Sequence, residues 1–128
     1  MLARERVARL GLLDDRDAPR VLPVTFVLHG GELYSAVDHK PKRGEPARIR
    51  FLERRPEAAL TVDRYDEDWT RLAWVQVLGA VDVLDVSAAP DAVDALCAKY
   101  PQYRGRTPQG PVLRLAPLRA LCWASQSP

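Results

Sequence analysis

Residues 21–38 read VLPVTFVLHGGELYSAVD, two apolar and largely β-branched runs separated by His29-Gly30-Gly31-Glu32. Branched and aromatic side chains suit a pleated, half-buried surface, and a Gly-Gly pair supplies the left-handed backbone of a tight reversal. The stretch therefore predicts a β-hairpin, one strand over 20–29 and the next over 32–38. The second strand runs straight into His39-Lys40-Pro41-Lys42-Arg43, and Gly44-Glu45-Pro46 then opens a helix-like segment. A strand that ends in cations just before a helix start is suited to seat a phosphate. Lysine brings a mobile point charge, arginine a planar fork, and the helix N-terminus its unpaired N–H groups. The expectation is the phosphate end of a flavin-like cofactor site.

Working outward, residues 2–10 place Leu2, Val7 and Leu10 at roughly helical spacing and predict a short amphipathic helix. Leu12-Leu13 would begin a first strand, closed by the turn-rich Asp14–Pro19. On the other side, residues 46–55 predict a helix, since Pro46 suits a first helical position and Pro56 disfavours continuation past Arg55. Ala58–Tyr65 reads as a buried strand, Asp66-Glu67-Asp68 as a turn, and Leu72–Val86 as a long strand with a bulge or bend at Gly79. A helix over Ala89–Tyr100 would turn Val93, Leu96 and Tyr100 inward. Residues 101–111 read as a loop, and Val112–Ala124 as a last strand that Pro117 places at an edge or a bulge. Strands joined by short turns, without a repeating β-α-β unit, predict an antiparallel barrel with flanking helices.

The 128 residues suffice for one core and one domain, spanning 1–128. With 47% apolar and 28% charged residues the composition is that of a folded globular chain. A net charge of +2 does not by itself point to nucleic acid. The 17 acidic residues, several beside the aromatics of Asp63–Trp69, weigh against a single-strand binder. Two unpatterned cysteines, no signal peptide and no run of membrane-spanning length lead us to expect a cytoplasmic protein. His29 and His39 lack partners at zinc-ligand spacing, and Asp66-Glu67-Asp68 lacks the glycine and alternation of a calcium loop, so no metal is expected. Cys97 has no adjacent base, no serine sits in a nucleophile elbow, and no catalytic side chain is expected.

Three segments, Val21–Phe26, Asp38–Arg43 and Asp63–Trp69, together resemble the pyridoxamine 5'-phosphate oxidase-like split β-barrel proteins. Among these the chain is most similar to the F420-dependent oxidoreductases of actinobacteria, over almost its whole length. The resemblance implies a mostly β split barrel with helices. It also implies a homodimer whose cofactor lies in a groove shared between subunits. By the same resemblance Pro23, Val24 and Thr25 run beside the ring of a deazaflavin or flavin, and Ser35, Ala36, Val37 and Asp38 lead toward its phosphate. Lys40, Lys42 and Arg43 hold that phosphate, with Lys40 or Lys42 as the main ligand, and Trp69 and Trp74 approach the partner's ring. The implied cofactor is coenzyme F420, with FMN as the alternative, and the implied reaction passes a hydride to a small electron-poor acceptor. A module that binds a flavin or haem without turnover is the rival of a different class. Arg48, Arg50, Arg54 and Arg55 extend the positive field, either toward an acidic cofactor tail or as the wet face of a helix.

Overall fold

The computed structural model describes residues 1–37 and 45–125. Seven strands run through them: β1 (Ala8–Leu13), β2 (Pro19–Val24), β3 (Val27–His29), β4 (Glu32–Ala36), β5 (Glu57–Arg64), β6 (Ala73–Leu84) and β7 (Val112–Ala124). Two helices, α1 (Ala47–Arg54) and α2 (Pro90–Lys99), and three single 3-10 turns complete the order. All pairings are antiparallel, in the spatial order β2-β1-β5-β6-β7-β4-β3.

That order forces the sheet to close on itself. β2 and β3 stand at opposite ends of it, yet only Thr25 and Phe26 separate them in the chain. Three Cα–Cα steps from Val24 to Val27 reach at most about 11 Å. Seven strands laid flat would part the same two edges by roughly 29 Å. The sheet therefore curls until its edges meet, and the seam between β2 and β3 stays without a strand ladder. Inside lie Leu10, Leu12, Phe26, Leu33, Val37, Leu60, Val62, Val77, Val81, Leu113 and Leu115, with Ile49 and Leu52 of α1 joining the same core. α2 covers β3 and β4, where Leu96 and Tyr100 meet Val27 and Ala36.

The hairpin turn is as the glycines require: Gly30 and Gly31 sit at φ +59° and +77°, a region that costs most side chains steric strain. β6 and β7 slip register between Leu78 and Gly79, the bulge expected there. Three expectations fail. Leu12-Leu13 close the first strand, β1, instead of beginning it. Residues 2–10 do not form a helix; β1 already begins at Ala8, and Ala8, Leu10 and Leu12 alternate inward with Arg9 and Gly11 between them. Over so short a segment alternation and helical spacing overlap, and the burial of Ala8, Leu10 and Leu12 decides for the strand. The run 20–29 is not one strand either. It breaks at Thr25-Phe26 so that its halves can serve opposite edges.

Candidate functional site

The break in that run is where a cavity forms. It encloses about 240 Å³ and is lined by Val7, Pro23, Val24, Thr25, Ala36, Arg48 and Tyr103. β2 brings Pro23 and Val24, and because β2 is an edge strand, one side of its backbone carries no ladder. β4 brings Ala36, α1 brings Arg48, and the turn Pro101–Tyr103 brings Tyr103. Among the described residues the walls are mostly apolar, with one cation and two hydroxyls.

Two tyrosines hold the Thr25-Phe26 link. The hydroxyl of Tyr100 accepts from Phe26 N at 3.1 Å and lies within donating distance of Arg6 O (2.9 Å) and Phe26 O (3.1 Å). Burial pushes the Tyr100 phenol pKa up, so the hydroxyl stays protonated. Tyr103 stands edge-to-face on Tyr100 at 5.8 Å between centroids, and its hydroxyl lies 2.8 Å from Thr25 Oγ1. Next to them, the Lys99 ammonium sits 3.6 Å over the Phe26 ring. Burial, with the nearby Arg6 charge and against that of Glu5, lowers the Lys99 pKa to about 8. Arg6 in turn donates to the carbonyl of Lys99. The N-terminal residues are thus clipped to the end of α2, with Val7 on the cavity wall.

The arginines of α1 divide into two kinds. Arg50 pairs with Asp15 at 2.9 Å, while Arg54 and Arg55 both reach Asp17 at 3.0 Å. These three are tied to the β1–β2 turn. There Asp14 accepts from the N–H groups of Arg16 and Ala18, and Asp17 takes a left-handed φ of 58°. The Arg54 hydrogen bond holds the Asp17 carboxyl below the usual carboxylate range. The expected field along the helix is therefore largely neutralised. Arg48 alone of the four lines the cavity, and it forms no ion pair among the described residues.

Of the residues singled out from sequence, Pro23, Val24, Thr25 and Ala36 come together at this cavity. Ser35 and Val37 are buried and do not line it; Val37 N donates to Pro111 O at 3.0 Å. Asp38, Lys40, Lys42 and Arg43 lie outside the described residues. Trp69, in the 3-10 turn Trp69–Arg71, and Trp74, at the start of β6, are exposed, 68% and 37%, and Trp74 stands opposite Trp123 of β7. They do not line the cavity within one chain. Tyr103 was missed, because 101–111 read as a featureless loop. Its signal was the Tyr-Pro-Gln-Tyr spacing: Pro101 starts a 3-10 turn, whose three-residue repeat stacks Tyr103 against Tyr100. Among the described residues no group of three His, Cys, Asp or Glu is placed to hold a metal, and no helix is long and apolar enough to cross a membrane.

A larger groove of about 480 Å³ lies elsewhere, on the outer sheet face. Gly11, Ala58, Ala59 and Gly79 floor it, and Val21 and Leu118, 71% and 82% exposed, rise at its sides.

No family model matches the sequence, and no curated protein matches it. Solved structures do. A conserved hypothetical protein of Mycobacterium tuberculosis superposes with TM-score 0.77 at 15% identity, covering 94% of this chain and 78% of that one. A structure described as an F420 reductase gives 0.69 at 18%, covering 94% and 92%. A Listeria innocua protein described as a candidate pyridoxamine 5'-phosphate oxidase gives 0.65 at 18%, covering 91% and 87%. At such identities the likeness shows the fold: a split β-barrel of the pyridoxamine-phosphate-oxidase-like kind.

Proposed function

We propose that this chain is an F420-dependent oxidoreductase, acting as a homodimer on a small electron-poor organic acceptor. The observation that carries the reading is the cavity in which Pro23-Val24-Thr25 faces Arg48. Its donor set fits a planar ring with a charged tail. Val7, Pro23, Val24 and Ala36 offer apolar surface to a ring, the open edge of β2 offers backbone hydrogen-bonding groups, and Arg48 offers a cation to a phosphate. The described chain leaves at Val37, next to Ala36, and resumes at Glu45, shortly before Arg48. The cationic Lys40, Lys42 and Arg43 thus fall, in sequence, between two residues of the cavity wall, which supports their role at the phosphate.

When bound, the deazaflavin supplies a hydride, a closed-shell reaction that needs no side-chain nucleophile. The chain's part is to hold one ring face against β2, to exclude water with the apolar wall, and to anchor the anionic tail through Arg48 and the basic segment. A cavity of 240 Å³ is smaller than the roughly 300–1,000 Å³ of ordinary ligand sites. A second copy supplying the opposite wall would complete it. The apolar outer groove, with Val21 and Leu118 at its sides and β2 as one border, supports that arrangement.

Titration of the purified protein with F420 and with FMN, followed by fluorescence, tests the reading. Micromolar or tighter F420 binding, and F420H2 consumption with enones or quinones, are the expected results. Binding of FMN alone, with peroxide formation in air, would replace it by a flavin oxidase on the same barrel. Stoichiometric binding with no turnover of any acceptor would favour a carrier module.

A further inference from the structure

Thr25 and Tyr103 come from distant parts of the chain, yet their hydroxyls meet at 2.8 Å on the wall of the cavity. Two hydroxyls carry two protons. Their mutual hydrogen bond uses one, whichever oxygen donates. Among the described residues neither hydroxyl has a second partner, so one O–H is left beside the cavity. Its position is well fixed. Thr25 is anchored by its neighbour Phe26, whose N–H is held by Tyr100, and the Tyr103 ring is propped edge-to-face on Tyr100. Tyr103 also sits at the end of a proline-started turn closed by Arg104 N donating to Pro101 O at 3.0 Å.

We infer that the Thr25–Tyr103 pair is a ligand-recognition element, donating one hydrogen bond to an acceptor atom on the edge of a planar heteroaromatic ligand, a ring carbonyl oxygen or ring nitrogen. Arg48, on α1, is a cation of the same cavity and meets the ligand's anionic part. The inference rests on the cavity being the cofactor site and adds a division of labour within it. Mutual bonding is what makes the pair selective. A hydroxyl already accepting from its neighbour is polarised to donate onward, and its remaining direction is restricted by the partner.

The test compares wild type, Tyr103→Phe, Thr25→Val, Thr25→Ser and Arg48→Ala. Each is titrated with F420 and FMN, and with riboflavin and the phosphate-free deazaflavin as tail-less probes. Tyr103→Phe and Thr25→Val should each weaken binding about five- to tenfold, with and without the phosphate. Both should also shift the absorption maximum of the bound ring, because the surviving hydroxyl loses the partner that aims and polarises its hydrogen bond to the chromophore. Thr25→Ser should restore both. Arg48→Ala should weaken only the phosphate-bearing probes. Unchanged affinity and spectrum in Tyr103→Phe, with only a lower Tm, would reduce the pair to a tether of the 101–103 turn and overturn the inference. A Tyr103→Phe loss confined to phosphate-bearing probes would overturn the ring assignment. Wild-type protein that binds none of the four probes would defeat the cofactor reading itself, and the inference with it.

Discussion

Lys99 shows how a single charge can be held at a disadvantage. Its ammonium is pressed onto the Phe26 ring and against the N-terminal residues, and burial lowers its pKa to about 8. Below that value the group is charged in folded and unfolded chains alike, and the penalty is fully present. Between about 8 and the ordinary lysine value near 10.4 the unfolded chain holds more protons, so stability rises with pH. Tyr100, with its raised pKa, works the other way above roughly 10, where unfolded tyrosines ionise. Urea titrations should therefore show the denaturation midpoint climbing from pH 7.5 to 9.5 relative to Lys99→Met, in which that increment is absent. A second contrast separates the arginines of α1. Arg48→Ala should lose about tenfold in affinity for a phosphate-bearing ligand, as expected for one charge-assisted contact. Arg54→Ala should leave affinity unchanged and lower Tm, because Arg54 is engaged with Asp17 and the Asp14 carbonyl. Binding isotherms and thermal melts of the two variants check both statements. Sequence alone showed four similar arginines; only the fold brings Asp15 and Asp17 up to three of them.

Among the elements, the β6–β7 ribbon depends on Gly79. A methyl group there would meet the Ala116 carbonyl oxygen at 2.1 Å, a backbone atom that cannot swing aside, at the register slip between Leu78 and Gly79. Gly79→Ala must push the strands apart and should cost about 1–3 kcal/mol by chemical denaturation; an unchanged midpoint would show that the bulge yields easily. This element was legible beforehand, since an isolated glycine in a long apolar run and Pro117 in its partner both signal interrupted pairing. The hairpin at Gly30-Gly31 and the boundaries of both helices were legible for similar reasons: glycine and proline act locally. The first strand was not. Ala8, Leu10 and Leu12 take their alternation from a barrel interior assembled by residues far away, and over six residues alternation and helical spacing overlap. The break at Thr25-Phe26 was hidden too, because both halves of the run are apolar and β-prone and only the closure of the sheet requires the interruption. The candidate cavity shared that fate: Pro23, Val24 and Thr25, named from the family resemblance, lie on its wall, while Tyr103 joins them through a tertiary contact.

For the whole molecule, the outer groove makes a demand on solution behaviour. Val21 and Leu118 stand exposed beside a floor of glycine and alanine, a surface that a stable association of more than about 1,000 Å² would cover. Light scattering should give a dimer at micromolar concentration, and Val21→Asp with Leu118→Asp should give a folded monomer with weakened F420 binding. A wild-type monomer with full affinity would remove the shared-groove arrangement. The strand order has a consequence in time as well. Leu33 of β4 pairs with Leu115 of β7, and among the described residues no strand made earlier than β7 joins the β3–β4 hairpin to the rest of the sheet. During synthesis the hairpin must wait, its open edge unsatisfied, until β7 has left the ribosome; such long-range closure makes folding slow. A chain stopped at Pro111 would keep every described residue of the cavity wall and still never assemble it, and should appear as aggregate rather than as a smaller barrel. The last strand is, in effect, the clasp that turns a strip of backbone into a vessel.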